Sequence, residues 1–84
     1  MTDTMKWFRR RENPAEEERF ALIEELNRTQ IAIQQTYVQF NTADDPDLIE
    51  ATVYELKAHQ SRYSYYLRRL KALDSAIEGQ LRAQ

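Results

Sequence analysis

The chain has 84 residues, no cysteine, one glycine, two prolines, 31% charged residues and a formal net charge of −2. This length predicts one small domain at most, and the missing cysteines exclude disulfides and thiolate metal sites as sources of stability. The composition favours long helices, and no apolar run approaches the roughly 18 residues that span a bilayer.

Residues 1–12 are predicted to form a flexible arm that combines positive charge with aromatic rings. The candidate contacts to an anionic surface are Lys6, Trp7, Phe8, Arg9, Arg10 and Arg11. Because aromatic rings prefer the membrane interface and arginines attract anionic lipid, weak contact with a membrane surface is one interpretation. A soluble tail and contact with nucleic acid are the alternatives. No signal-peptide core follows, so the expected compartment is the cytoplasm, with the arm allowing peripheral membrane contact.

A helical hairpin is predicted for residues 13–84, and its first helix for about residues 14–40. Asn13 suits the N-cap, and Pro14 suits the first helical position because its missing N–H would be unpaired there. The glutamates at 16, 17 and 18 complement the positive end of the helix dipole. The 3.6-residue period predicts an inward stripe. Its members are Leu22, Leu26, Thr29, Ile33, Tyr37 and Phe40.

A turn at residues 41–45 is predicted to lead into a second helix at about residues 46–78. Proline disfavours the helical conformation in the residue before it, so Asp45 is expected to cap this helix, with Pro46 in its first position. So short a connection makes the two helices antiparallel. Asp44, Asp45 and Asp47 lack the spacing of a calcium-binding loop, and capping explains them better.

The second helix carries an inward stripe followed by a block of positive charge. The stripe is Ile49, Thr52, Val53, Leu56, His59, Tyr63, Tyr66, Leu67, Leu70, Leu73 and Ile77. Antiparallel pairing is expected to bring the glutamates at 16 to 18 beside Arg68, Arg69 and Lys71. The opposite charges along the chain are therefore predicted to pair within the hairpin.

Both helices also carry apolar residues away from these stripes, more than chance exposure explains. The candidate interaction surface is Phe20, Ile23, Ile31, Val38, Tyr54 and Tyr65. Because a two-helix hairpin alone is a poor core, these residues predict self-association, most simply a homodimer that completes a four-helix bundle. A partner protein that covers the same surface is the other interpretation.

No group of residues predicts a reaction. His59 is the only histidine, whereas zinc needs three or four ligands, and Ser61 and Ser64 lack an orienting carboxylate. We therefore expect a protein–protein interaction or adaptor module, not an enzyme, with no catalytic residue, cofactor, metal or small-molecule substrate. The alternative is a nucleic-acid-associated accessory protein. It would use the arm together with Arg62, Tyr65, Arg68 and Arg69.

Four segments occur together at a spacing typical of one family: Phe40-Asn41, Thr42 to Glu50, Tyr54-Glu55-Leu56 and Tyr63 to Lys71. With the basic-aromatic start, they resemble the YaaL family of small Firmicutes proteins, a domain of unknown function. The resemblance covers about residues 22–72. It implies a cytoplasmic helical hairpin in a Gram-positive-type bacterium, and it brings no activity, cofactor or catalytic residue.

Overall fold

Two long α-helices and a short turn make up the part of the chain that the structure describes. The computed structural model describes residues 14–83, in which α1 spans Pro14–Thr42 and α2 spans Pro46–Ala83. The two helices pack against each other as an antiparallel hairpin. The all-α hairpin that the sequence predicts is confirmed. Both helices are longer than expected, since α1 reaches 42 rather than 40 and α2 reaches 83 rather than 78.

The arm predicted at the start of the chain lies outside the described residues. This applies to all six candidate contacts with an anionic surface, Lys6, Trp7, Phe8, Arg9, Arg10 and Arg11. It applies equally to Asn13, the expected cap of α1. Their roles stay predictions of the sequence.

The turn ends in an aspartate that caps α2. The carboxylate Oδ1 of Asp45 accepts hydrogen bonds from the backbone N–H of Asp47 at 2.8 Å and of Leu48 at 3.4 Å. Its carbonyl oxygen accepts the first helical hydrogen bond from the N–H of Ile49 at 3.0 Å. Pro46 occupies the first helical position, where it sacrifices no hydrogen bond. The prediction that Asp45 caps the second helix is confirmed.

The residues of α2 that pack on α1 recur at alternating intervals of three and four, the spacing of a coiled-coil seam. They are Ile49, Thr52, Leu56, His59, Tyr63, Tyr66, Leu70, Leu73 and Ile77, all buried or half-buried. Every one belongs to the stripe that the sequence predicts for this helix. Val53, also placed in that stripe, is exposed. It follows Thr52 directly, so it points about 100° away from that seam position.

The seam of α1 consists largely of small side chains. With the same spacing it contains Ala15, Glu18, Leu22, Glu25, Thr29, Ala32 and Thr36. The carboxylates of the two glutamates bind Arg69 and Arg28 at its edge. The hydroxyl of Thr29 donates to the carbonyl oxygen of Glu25 at 2.7 Å, and that of Thr36 donates to the carbonyl oxygen of Ala32 at 2.8 Å. Because each buried hydroxyl is satisfied within its own helix, only the small methyl group faces α2. The two helices can therefore approach closely.

Two aromatic residues that the sequence places in the core lie outside it. Tyr37 is 47% exposed and Phe40 is 40% exposed, whereas Thr36 is only 4% exposed. The inward stripe predicted for α1 is therefore wrong in this half of the helix. The row of small residues faces α2, and the row of large apolar residues is rotated to one side of it by about 50 to 100°.

The hairpin buries very little apolar surface. Leu22, 8% exposed, is the only apolar side chain in residues 14–83 that counts as buried, and no large side chain in that range is fully enclosed. The other buried side chains are three threonines, at positions 29, 36 and 52. A chain of this size needs an efficient core or an added source of stability. The described hairpin by itself provides neither.

Candidate interaction surface

One broad side of the hairpin is apolar across both helices, and we call it the apolar face. It lies next to the seam, on the side to which Tyr37 and Phe40 are turned. Its residues are Ile23, Leu26, Ile33, Tyr37 and Phe40 of α1 and Val53, Leu56, Tyr63, Leu67 and Leu70 of α2. All ten are half-buried or exposed in the hairpin. Leu56, Tyr63 and Leu70 also belong to the seam, and the ten residues together form a mostly apolar surface that the hairpin covers only in part.

The apolar face has a defined length. At the end near Pro14 it is closed by an ion pair, in which Nε of Arg19 donates to Oδ1 of Asp74 at 2.8 Å. From Ile23 to Phe40 the face runs about 27 Å along the axis and about 20 Å across the two helices. Over this stretch the positions that adjoin the seam on this side carry no charge in either helix, and Gln30 and Gln60 are the polar residues among them. The face is therefore mostly apolar and uncharged.

The opposite broad side is polar. There Arg69 binds Glu18 across the two helices through two hydrogen bonds, from Nε to Oε2 at 2.6 Å and from Nη2 to Oε1 at 3.1 Å. Within α1, Nη1 of Arg28 donates to Oε1 of Glu25 at 2.7 Å. We call this side the polar face. Its charges find partners inside the hairpin, so it has less need of a partner molecule than the apolar face.

The pair between Arg69 and Glu18 confirms that the acidic start of α1 lies beside the basic part of α2. The hydrogen bond that Arg69 donates to Glu18, and then the negative charge of Glu18, raise the pKa of Arg69. The guanidinium therefore stays protonated at every physiological pH. Two other predicted partners, Arg68 and Lys71, form no ion pair within residues 14–83. Of the three basic residues predicted to pair with the acidic start of α1, Arg69 is therefore the one that does so in the described residues.

The six residues predicted as an interaction surface are distributed around the hairpin. Ile23 is half-buried and belongs to the apolar face. The other five are exposed: Phe20, Ile31, Val38, Tyr54 and Tyr65. Of these, Phe20 lies near Pro14, at the end of the hairpin opposite to Tyr54. The structure does not bring the six residues together into one patch, and their role in binding a partner stays a prediction.

The residues proposed for nucleic acid share an outward row of α2, because Arg62, Tyr65 and Arg69 follow at intervals of three and four. The Tyr65 ring packs edge-on against Tyr66, with ring centroids 5.6 Å apart and an angle of 65° between the rings. Arg69 is held by Glu18. Arg62 and Arg68 are left to meet phosphate groups, which is a small positive surface for nucleic-acid binding.

The single histidine of the chain lies between the two helices. His59 lines a shallow depression between the helices, beside Thr29 and Tyr66 and near the guanidinium groups of Arg28 and Arg62. No group of three or more His, Asp or Glu side chains in the described range is placed to hold a metal ion. Between residues 14 and 83, neither helix is long and apolar enough to cross a membrane.

Sequence reasoning found most of the residues of the apolar face but assigned them to a core. Leu26, Ile33, Tyr37 and Phe40 recur at helical spacing, which is typical of any apolar stripe, buried or not. The signal that separates the seam from the face is the row Leu22, Thr29 and Thr36. Its spacing of seven matches the repeat of the α2 seam, whereas the row of larger residues runs alongside.

A family model matches most of the chain. The family is described as a protein of unknown function (DUF2508), and the match covers residues 5–75. It takes in the basic-aromatic segment from residue 5 onward, α1, the turn and most of α2. No curated protein and no solved structure matches the chain.

Proposed function

We propose that this chain, which belongs to the DUF2508 family of proteins of unknown function, is a non-enzymatic interaction module that works as a homodimer. In this proposal two hairpins pack through their apolar faces and complete a four-helix bundle. One observation carries the proposal: ten apolar side chains form one face across both helices, while the hairpin itself buries only Leu22 among its apolar residues.

The size of the apolar face supports a stable contact. Its length and width correspond to a projected area of roughly 500 Å² per copy, and a corrugated helical surface has more accessible area than its projection. Pairing two such faces therefore removes more than about 1,000 Å² from water, where the range of specific interfaces begins. The hydrophobic effect over that area offers the stability that the isolated hairpin lacks.

The chemistry of the face favours a second copy over an unrelated partner. Two-fold packing brings the same patch of both copies together, so the patch must be complementary to itself. A charged face would repel its copy, whereas the positions on the apolar side of the seam are uncharged from Ile23 to Phe40. Leucine, isoleucine and valine side chains at helical spacing can interdigitate with an identical set.

The proposal also includes three further expectations from the sequence. These are a relation to the YaaL group of Firmicutes proteins, which rests on residues 40–71, a cytoplasmic location, and the absence of an enzymatic reaction. Weak contact of the arm with an anionic membrane surface belongs to the same set of expectations. A nucleic-acid role is less favoured, because Arg69, one of the four residues of α2 that would bind nucleic acid, already forms an ion pair with Glu18.

Co-purification of two differently tagged copies tests the proposal. We expect that, after both full-length copies are expressed together, capture through one tag retrieves the other copy in comparable amount. The separately purified proteins should exchange subunits when mixed. If neither copy retrieves the other although both are helical by circular dichroism, the homodimer is excluded. If retrieval needs a third protein, that protein covers the apolar face instead, and the proposal is equally wrong.

A further inference from the structure

The turn end of the hairpin holds a groove that the apolar face does not use. It lies between the end of α1 and the start of α2, and its lining includes Gln39, Ala43, Leu48, Ala51 and Glu55. Leu48 is 58% exposed, and Val38, one helical turn before Thr42, is 62% exposed. Because this groove opens toward the polar face, it remains accessible when the apolar faces of two copies are packed together.

The rim of this turn-end groove carries the carboxylate of Glu55, and the neighbouring turn is acidic. Between residues 41 and 56 the chain has five carboxylates and no lysine or arginine. They are Asp44, Asp45, Asp47, Glu50 and Glu55. None of the five forms an ion pair within the described part of the chain. The groove therefore combines exposed apolar surface with the carboxylate of Glu55 and an acidic turn beside it, and it suits a segment that is both apolar and basic.

The chain carries such a segment at residues 5–11, with the sequence MKWFRRR. Three of its side chains are apolar and four are positively charged. We infer that residues 5–11 of one copy dock in the turn-end groove of a second copy, with Trp7 and Phe8 against Leu48 and the arginines against the acidic turn beside it. This inference rests on the proposed homodimer, since it needs a second chain.

Distance excludes the same contact within one chain. The segment joins the hairpin at Pro14, and α1 has 29 residues, so the turn lies about 43 Å away. Trp7 precedes Pro14 by seven positions and reaches at most about 25 Å from it when fully extended. Trp7 therefore cannot reach the turn-end groove of its own hairpin.

Packing of two copies with their turns at opposite ends removes this obstacle. If the packing is centred on the apolar face, Pro14 of the second copy lies about 10 Å beyond the turn of the first, measured along the axis. The groove opens on the far side of the first hairpin, so the segment also crosses about 15 Å around the turn. The combined distance of about 20 Å is within the reach of Trp7. The opposite choice places the two acidic turns side by side, where their like charges repel. Charge thus favours the arrangement that brings each segment to the other copy's groove.

Trp7 provides the test, because it is the only tryptophan in the chain. In the full-length dimer we expect a blue-shifted Trp7 emission and a several-fold lower acrylamide quenching constant than in the dissociated protein. Dilution below the dimer dissociation constant should restore solvent exposure. The double variant Leu48→Asn/Glu55→Lys should expose Trp7 while the molecular mass stays that of a dimer. The matched variant Leu81→Asn/Glu24→Lys, changed away from the groove, should leave Trp7 protected.

Three results would overturn this inference. The first is a dimer in which Trp7 is quenched as strongly as in the groove variant. The second is protection that persists after dilution, which would place the segment on its own hairpin. The third is protection that appears only when vesicles containing phosphatidylserine are added, which would assign the segment to a membrane. A protein that stays monomeric by mass would instead refute the proposed function itself, so the two failures are distinguishable.

Discussion

Replacing Tyr37 with lysine is expected to convert the protein from a dimer into a monomer. Tyr37 lies on the apolar face and is 47% exposed in the hairpin, so the hairpin tolerates the change while a packed interface does not. Loss of an interface tyrosine costs about 2 kcal/mol, and a two-fold interface contains the residue twice. The sum of about 4 kcal/mol weakens dimerisation roughly a thousandfold. Light scattering across a concentration series measures the effect.

The control for this prediction is the same change at another tyrosine. Tyr54 is 64% exposed and lies on the outer side of α2, and both positions are more than one turn from a helix end. Tyr54→Lys should therefore leave the dimer intact. Dissociation by Tyr54→Lys with no effect of Tyr37→Lys would place the interface on the outer side of α2, where Tyr54 lies. The apolar face would then be rejected as the contact.

Replacing Leu22 with alanine is expected to remove a large part of the stability of the fold. Leu22 is the buried apolar residue of the seam, and truncation of a buried leucine costs about 2 to 5 kcal/mol. A domain of about 70 residues has a total unfolding free energy of roughly 4 to 10 kcal/mol. The variant should unfold at a much lower temperature, or be largely unfolded at 37 °C. Thermal melts followed by circular dichroism at one protein concentration measure this.

The matched control is Leu81→Ala, near the end of α2. Leu81 is exposed, and alanine forms helices slightly better than leucine. This variant should melt at the same temperature as the unchanged protein, within experimental error. If Leu22→Ala melts as high as Leu81→Ala, the described seam is not what holds the two helices together.

The sequence was sufficient to predict the hairpin and its turn because these depend on local chemistry. Pro46 keeps the backbone of Asp45 out of the helical conformation, so its carboxylate can cap α2. The structure shows this cap as hydrogen bonds from the N–H groups of Asp47 and Leu48. The seam of α2 was predictable for a related reason. Its large apolar residues are also its seam residues, so the apolar stripe and the helix contact coincide there.

In α1 the apolar stripe and the helix contact do not coincide, and this is where the sequence misleads. A stripe of apolar residues marks every surface that is buried in the working protein, whether another helix of the same chain or a second copy buries it. In our proposal Leu26, Ile33, Tyr37 and Phe40 are buried by a second copy. Thr29 and Thr36 are buried by α2 of the same chain, and because threonine is polar, an apolar pattern does not reveal them.

The candidate surface was predictable in kind but not in position. Composition showed that the hairpin has more apolar residues than its own core can use, which indicates a partner. Choosing between the outer residues, such as Ile31 and Tyr54, and the apolar face depends on the rotation of α1 about its axis. That rotation follows from close packing of Thr36 and its neighbours on α2, a tertiary preference that apolar periodicity alone does not contain.

The most direct test of the homodimer is the mass of the unchanged full-length protein in solution, measured together with its melting temperature. Sedimentation equilibrium at micromolar concentrations should give twice the chain mass of 10.1 kDa. The melting temperature should rise with protein concentration, since folding and association are then linked. A well-folded species of 10.1 kDa whose melting temperature does not change with concentration would contradict the account.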